Sequence, residues 1–468
     1  MESRLQRLTR STFVRNLVGL GGATLLNRLL GLLTLGYAAR QLGPESYGLI
    51  GYGASVAAYA SILLSPGLST WGVREVARDR EAAGRLLVIV NGTKLVLALL
   101  GMLAVVVFAW GWLPTERERW IVLLSCLVLL TQALSADWVL NGLELARVSA
   151  GFGILGTLAS TVGLLALVHE PDDAYVVPLL AFGAGLISLL PAYPMLLKRL
   201  GLRIVWPTAM QVRQALLASM PLGLTSATVV VLHYANNLII KGYLGDRELG
   251  VYLSAFRLFE LAGTVPTILA GAFFPRLARS VAGTPDRAMR EARLFARVHM
   301  VPAFLIAGMA LVEAEGVIAL LYGAEYAQAV PLLQVMSVAV LFNYAICGYT
   351  NCLISFGRDR VMLIVVVVSA IVSVGGGLWL VPKFGSLGAA LVIACVDLAG
   401  WLVSLRAYRE AVGTLQMATW IRPLAGAVCA CGTSLLLQAV DVPFLVRVPL
   451  AVLVYAPFVW LEIRSALK

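Results

Sequence analysis

Charged residues are scarce in this sequence. Asp, Glu, Lys and Arg make up only 13% of its 468 residues, whereas a soluble domain has roughly 25%. Hydrophobic residues make up 60% of the chain, and the mean hydropathy is +0.88. No polar segment between the apolar runs is long enough to fold as a separate soluble domain. This shortage excludes a soluble enzyme and predicts an all-α polytopic membrane protein.

The side chains that usually build metal sites and disulfide frameworks are also few. The six cysteines all fall inside apolar runs without forming a CxxC pair, and the three histidines are scattered. We therefore expect the cysteines to be small apolar core residues, with no metal site and no cofactor. A Walker A sequence is absent as well, so we expect no use of ATP by this chain.

Apolar runs long enough to cross a bilayer recur along the whole chain. We predict fourteen spans, at about 14–39, 47–71, 86–112, 120–143, 149–169, 176–197, 214–240, 249–274, 296–320, 330–355, 361–381, 387–408, 419–440 and 443–463. Most of the 36 Lys and Arg residues then fall in alternate loops. Because cytoplasmic loops are enriched in Lys and Arg, both termini are predicted to be cytoplasmic.

The positive charge does not indicate nucleic acid binding, although the formal net charge is +11. It lies in short loops and in a basic N-terminus that predicts a cytoplasmic tail before an uncleaved first helix. The largest inner loop, from Pro275 to Arg297, is basic and amphipathic. It is typical of a helix on anionic membrane lipids, and a partner-docking surface is the alternative.

An internal repeat organises the chain. Leu42, Gly43 and Gly48 recur 202 positions later as Leu244, Gly245 and Gly250, and Val76-Ala77-Arg78 has a weaker echo in Leu277-Ala278-Arg279. Six predicted spans separate the copies, so both begin on the same face of the membrane. Parallel repeats predict two six-helix bundles, 1–205 and 206–410, followed by two additional helices in 411–468. A substrate site between the bundles would suit alternating access.

Short motifs in order along most of the chain carry a family resemblance. They are Arg40-x-Leu42-Gly43-Pro44-x-x-Tyr47-Gly48, Arg74-Glu75-x-Ala77-Arg78, Asp137-Trp138, Asn141-Gly142-Leu143-Glu144, Leu244-Gly245, Gly250-Val251-Tyr252-x-x-Ala255-x-Arg257, Pro275 with Ala278-Arg279, Leu321-Tyr322-Gly323-x-Glu325-Tyr326, Asn351 with Gly357-Arg358, and Phe384-Gly385-x-x-Gly388-Ala389-Ala390. With these the chain resembles the polysaccharide flippases of the multidrug/oligosaccharidyl-lipid/polysaccharide superfamily, which include the O-antigen flippases.

The resemblance implies movement of an undecaprenyl-diphosphate-linked oligosaccharide to the outer leaflet of a bacterial inner membrane, for polysaccharide or lipopolysaccharide synthesis. It also implies polysaccharide polymerase machinery as a partner, and coupling to an H⁺ or Na⁺ gradient or to the membrane potential. One departure concerns helix 7, where family members often carry an aspartate and this chain has Asn236 and Asn237. Coupling through that acid would therefore need another group here.

Three cations inside predicted spans are the candidate substrate-binding residues: Arg28, Lys94 and Arg257. A cation in a bilayer costs roughly 3 kcal/mol or more unless it faces protein, water or a counter-ion. A diphosphate needs such partners, so these cations and Glu260 predict a central cationic cavity. The helix-8 Arg-x-x-Glu and the helix-1 arginine also resemble those of a related lipid-linked peptidoglycan-precursor flippase group.

Each candidate has a plainer interpretation. Arg257 and Glu260 could neutralise each other as an i,i+3 pair, and Arg28 could snorkel or pair with an acid such as Asp137. Lys94 fits either the cavity or the inner interface.

The polar residues of the other spans are candidates for gating or ion coupling. Asp137 and Glu144 lie toward the cytoplasmic end of helix 4, where packing or gate roles are expected. Asp397 lies in apolar company and is a candidate protonatable coupling acid.

Two other functions compete with the flippase. A cation-coupled small-molecule exporter of the same superfamily would need an acidic cavity, whereas the charges inside these spans are mainly cationic. A membrane glycosyltransferase or polymerase would need a large outer loop with catalytic acids. The outer loops here are short, with one acidic cluster from Glu170 to Asp173, so no catalytic residues are predicted.

Overall fold

The computed structural model describes residues 22–64, 67–199, 207–281, 283–413 and 420–467, and the regular elements in these ranges are all helices. The all-α prediction is thereby confirmed. The α-helices are α1 (Gly22–Leu64), α2 (Leu68–Arg78), α3 (Ala83–Trp112), α4 (Glu116–Cys126), α5 (Val128–Leu134), α6 (Asp137–Gly142), α7 (Ala146–Leu167), α8 (Val176–Pro194), α9 (Ala209–Leu244), α10 (Asp246–Ala262), α11 (Thr264–Val281), α12 (Pro285–Val312), α13 (Ala314–Leu321), α14 (Ala329–Ser355), α15 (Arg360–Val412), α16 (Ile421–Ala439) and α17 (Phe444–Leu467).

Many of these helices are long and apolar enough to cross a membrane. Within the described ranges nine qualify, or ten if the two parts of α9, bent by 59°, are counted as one span. The count of fourteen stays a prediction. The 53-residue α15 contains a non-helical Gly385. A straight helix of that length would reach about 80 Å, well beyond a hydrocarbon core of about 30 Å.

Glycines with positive φ mark the predicted turns of the repeat. Gly43 interrupts α1 with φ 72° and ψ 168°, and Gly245 separates α9 from α10 with φ 88° and ψ −173°. Only glycine adopts this conformation without strain. The two repeat-equivalent glycines therefore make the same kind of turn.

Contacts divide the chain into two compact units. The first unit is Leu33–Gly250, and the second is Val251–Lys468 together with the N-terminal residues through Leu32. A core around Val76, Val90 and Trp138 holds the first unit. In the second, Phe295, Tyr344 and Tyr408 belong to a core built by α11, α12, α14 and α15. The predicted bundle boundary at 205–206 and the basic N-terminus lie outside the described residues.

Four turns that the charge distribution places on the outer face lie together in the first unit. They are the turn at Gly43, the start of α4, the short helix at Pro171–Tyr175 and the turn at Gly245. The Arg117 guanidinium donates to Ser46 Oγ at 2.8 Å and to the Pro171 carbonyl at 2.6 Å. When successive helices cross the membrane in opposite directions, every second turn lies on the same side. These four alternate turns are grouped in that way.

The basic stretch from Pro275 to Arg297 does not form a separate surface helix. Its parts are the end of α11 and the first turns of α12. Ala288, Ala292 and Phe295 are buried there, so this face of α12 packs into the protein.

Candidate functional site

Arg28 lies on the part of α1 that belongs to the second unit, and its side chain is exposed. Arg257 and Glu260 lie in the same unit, on α10. Arg257 Nη1 is 2.8 Å from Glu260 Oε2, and the two side chains are 31% and 25% exposed. The intrahelical ion pair is therefore formed, and both of its side chains are partly exposed.

Lys94 is buried inside the first unit. Its Nζ donates to Ser69 Oγ at 3.2 Å and to the Gln132 carbonyl at 2.6 Å. The Gln132 carbonyl lies near the end of α5, just before the chain leaves the helix. The sequence left Lys94 open between a cavity and the inner interface. The structure places its ammonium group in the interior of the first unit, where protein atoms bind it.

Asn91, one turn before Lys94, is a structural residue that the motifs did not indicate. Its Nδ2 donates to the Leu134 and Ser135 carbonyls and to Tyr193 Oη, each within 3.2 Å, and its Oδ1 accepts from Trp138 Nε1 at 3.0 Å. These bonds satisfy backbone groups released by the break between α5 and α6. The feature of the sequence that could have indicated Asn91 was its position as an asparagine inside an apolar run.

Asp137 is the first residue of α6 and Glu144 lies two residues beyond its end, and both are exposed. Asp137 accepts hydrogen bonds of 2.9 Å from Ser135 Oγ and Ser149 Oγ. Glu144 has φ 65° and pairs with Arg80 at 2.9 Å. The two acids thus contact neighbouring turns of the same unit.

Asn236 and Asn237 lie on α9, and both are buried. Asn237 Nδ2 donates to Ser55 Oγ at 2.9 Å. Neither side-chain atom of Asn236 has a hydrogen-bond partner within the described part of the chain. A buried amide without hydrogen bonds lowers the stability of the folded protein. Hydrogen bonding within the described residues therefore does not explain why position 236 is polar.

Asp397 is a buried carboxyl group on α15. Its Oδ1 accepts from Asn343 Nδ2 at 3.5 Å, and its Oδ2 is buried with no partner among the described residues. One oxygen of this carboxyl group is therefore left without a hydrogen-bond donor in the described part of the chain, and the role of Asp397 in ion coupling stays a prediction.

Sequence reasoning missed an ion cluster at the grouped turns of the first unit. Lys241 Nζ lies 2.5 Å from Glu118 Oε1 and 2.6 Å from Asp246 Oδ2, and all three side chains are at most 16% exposed. Lys241 and Asp246 flank the second repeat turn, but nothing in the sequence indicated Glu118 as their partner.

Next to this cluster the two repeat turns touch through glycines. A Cβ atom on Gly48 would overlap the Asp246 carbonyl, and one on Gly250 would overlap the Pro44 carbonyl. Position 44 corresponds to 246 in the repeat, as 48 does to 250. The contact is therefore reciprocal, as at a two-fold axis.

Among the described residues no three His, Cys, Asp or Glu side chains are placed to hold a metal ion. The six cysteines are free thiols.

Comparison with known proteins places this architecture in a family. Residues 13–281 match the family model described as "Polysaccharide biosynthesis protein". No curated protein sequence gave a match.

Several solved structures have the same fold. A lipid II flippase, MurJ in an inward closed conformation, is 14% identical with a TM-score of 0.75, over 96% of this chain and 99% of that one. An inward-facing multidrug resistance MATE family transporter of the MOP superfamily is 17% identical with a TM-score of 0.65, over 83% and 96%. A MOP superfamily transporter from Pyrococcus furiosus, described as having a binding pocket of reverse polarity, is 15% identical with a TM-score of 0.59, over 86% and 95%. The family model covers more than half of the sequence, so the chain belongs to the polysaccharide biosynthesis protein family and has the multi-helical fold of the MOP superfamily transporters.

Proposed function

We propose that this protein is a flippase that moves an undecaprenyl-diphosphate-linked oligosaccharide from the cytoplasmic to the outer leaflet of a bacterial inner membrane. The observation that carries the proposal is the family match together with a fold shared, over nearly the whole chain, with a lipid II flippase. Polysaccharide or O-antigen synthesis would supply the lipid-linked substrate, and polymerase machinery would consume it.

The diphosphate is the part of this substrate that most needs protein partners. Arg28 is exposed, and Arg257 is partly exposed beside Glu260. Arginine offers paired N–H donors that match phosphate oxygens, and each charge-assisted hydrogen bond contributes about 1.5–3 kcal/mol. In this scheme Glu260 orients the Arg257 guanidinium before the phosphate arrives. Lys94 is bound by Ser69 and Gln132 inside the first unit.

Movement would follow alternating access between the two repeats. The reciprocal contact of Gly48 and Gly250 supports this scheme, because it gives repeat-equivalent residues equivalent surroundings. The sugar and diphosphate would enter between the repeats from the cytoplasmic side while the isoprenoid tail stays in lipid. Rocking of the repeats would then open the outer side.

Ion coupling is assigned to Asp397, with Asn236 and Asn237 as secondary positions. Proton binding to a buried carboxyl would change the charge of α15 during the cycle. An H⁺ gradient, a Na⁺ gradient or the membrane potential would supply the drive, and the potential contributes about 2.3 kcal/mol per charge per 100 mV.

A cation-coupled exporter of small molecules is the second candidate, because the chain also shares its fold with a multidrug transporter. A cationic drug needs acidic partners, whereas Arg28 and Arg257 favour anions. The two functions therefore differ in the sign of the charge that the site attracts.

The test is transport of a fluorescent undecaprenyl-diphosphate oligosaccharide in vesicles containing the purified protein. Arg28→Ala and Arg257→Ala should each slow translocation by about 10- to 100-fold, the loss expected for one or two phosphate hydrogen bonds. Arg406→Ala is the matched control, since its side chain is 87% exposed at a surface pair, and it should leave the rate unchanged. Unchanged transport in both test variants would exclude the arginine-based site. Competition by cationic drugs but not by lipid diphosphates would favour the exporter.

A further inference from the structure

Lys241, Glu118 and Asp246 form a buried cluster with unequal charge. One ammonium group lies between two carboxylates, at 2.5 and 2.6 Å. Glu118 Oε2 and Asp246 Oδ1 are buried without a hydrogen-bond partner among the described residues. Lys241 is therefore what makes the proximity of two buried carboxylates tolerable.

The repeat shows that these charges are not needed to build the turn. In the first copy the positions equivalent to Lys241 and Asp246 are Ala39 and Pro44. The turn at Gly43 nevertheless has nearly the same backbone conformation as the turn at Gly245. The turn therefore forms with uncharged residues at these two positions, so Lys241 and Asp246 serve something other than local folding.

The contacts of the cluster indicate the role of these charges. Glu118 belongs to the start of α4, and through Lys241 it holds the turn at Gly245. Its neighbour Arg117 holds the turn at Gly43 through Ser46. Two adjacent residues of α4 thus secure both turns, and between these turns lies the close approach of Gly48 and Gly250.

We propose that Lys241 is an ionic latch that keeps the end of the protein carrying these turns closed. In the closed state Lys241 joins Glu118 to Asp246 over the glycine contact, and opening of this end separates Lys241 from Glu118. The proposal rests on the flippase function above, since that function requires this outer end to open. Loss of the Lys241 charge would leave two like charges together in the closed state and shift the protein toward the open state.

A cysteine at position 55 provides the readout. Ser55 is fully buried, and it lies about two helical turns beyond Gly48. In a background without the six native cysteines, Ser55→Cys is labelled on intact cells with a maleimide that does not cross membranes. Adding Lys241→Met should raise the labelling rate by about tenfold or more, as a minor open state becomes well populated.

Two control variants isolate the latch. Arg119→Met removes a cation from the same region. The Arg119 guanidinium donates to the nearby carbonyls of Leu113 and Pro114, and labelling should stay slow. Lys241→Arg keeps the bridging charge and should also stay slow. Glu118→Gln is the milder test if Lys241→Met does not fold. It removes the charge from the Glu118 end of the latch, and it should also make labelling faster.

The outcomes separate the latch from the flippase function. Faster labelling in Lys241→Met or Glu118→Gln, but not in the controls, supports the latch. Labelling as slow as in the parent, in protein that elutes as a folded species, overturns it. Vesicle transport by the unmodified chain is measured separately. If that transport is absent while labelling still responds to Lys241, the flippase function fails and the latch remains.

Discussion

At the residue scale, Glu313 and Arg447 form an ion pair with several hydrogen bonds in the second unit. Arg447 Nε and Nη2 contact both carboxylate oxygens at 2.7–3.1 Å, and Ser434 donates to the same group. Glu313 is 2% exposed. The pair ties α16 and α17 to the junction of α12 and α13, so these last helices are attached by buried polar contacts as well as by packing.

Removal of one partner from this pair should be strongly destabilising. Glu313→Gln leaves the Arg447 charge unbalanced in a buried place, and we expect a loss of about 3–5 kcal/mol in unfolding free energy. Thermal unfolding in detergent, followed by fluorescence, would measure the lower Tm.

Glu410→Gln is the control for that measurement. Glu410 is 58% exposed and lies 3.6 and 3.7 Å from Arg406 and Arg358, a geometry that contributes about 1 kcal/mol or less. Equal shifts in the two variants would contradict a special role for the buried pair.

At the element scale, the break in α15 depends on a single glycine. Gly385 has φ 62° and ψ −146°, a region that residues with a Cβ avoid. The break divides a helix too long for one crossing, and Asp397 lies on its second part. The position of a candidate coupling acid therefore depends on this backbone conformation.

Two alanine substitutions in α15 should act in opposite directions. Gly385→Ala should lower the unfolding free energy by about 1–3 kcal/mol because the required φ is strained for alanine. Gly375→Ala places its methyl group in open space on regular helix, and it should raise stability by about 0.5–1 kcal/mol. Thermal unfolding of both variants is the measurement, and a stabilising Gly385→Ala would rule out the strained-turn explanation.

At the scale of the whole molecule, the charge pattern and the contacts agree on the path of the chain. Loops rich in Lys and Arg alternate with loops that are poor in them. The turns poor in Lys and Arg lie together in the first unit, where Arg117 and Lys241 bridge them. The positive-inside rule predicts a membrane orientation with these turns outside.

Single cysteines in a cysteine-free background would test this orientation. Asp172→Cys lies in a turn poor in Lys and Arg and should react with an impermeant maleimide on intact cells. Arg287→Cys lies in the basic stretch and should react only after the membrane is permeabilised. The reverse pattern would invert the topology, and labelling of both on intact cells would contradict the predicted path.

Sequence patterns anticipated much of the architecture because they reflect local physics. The apolar runs predicted helices, and the glycines at 43 and 245 predicted turns that only glycine makes easily. The candidate site was anticipated less completely. The i,i+3 spacing of Arg257 and Glu260 raised an ion pair as the plainer alternative to a cavity site, and the structure contains that pair. The sequence left Lys94 open between a cavity and the inner interface.

The sequence by itself determined the membrane class, the repeat, the family and the turn glycines, because each depends on composition or on short spacings. Only the tertiary structure decided the partners of the buried charges. Lys241 meets Glu118 across 123 positions, and Arg447 meets Glu313 across 134. A buried ion is stable only beside a counter-ion in space, and helix packing, which chain separation does not encode, brings the two together.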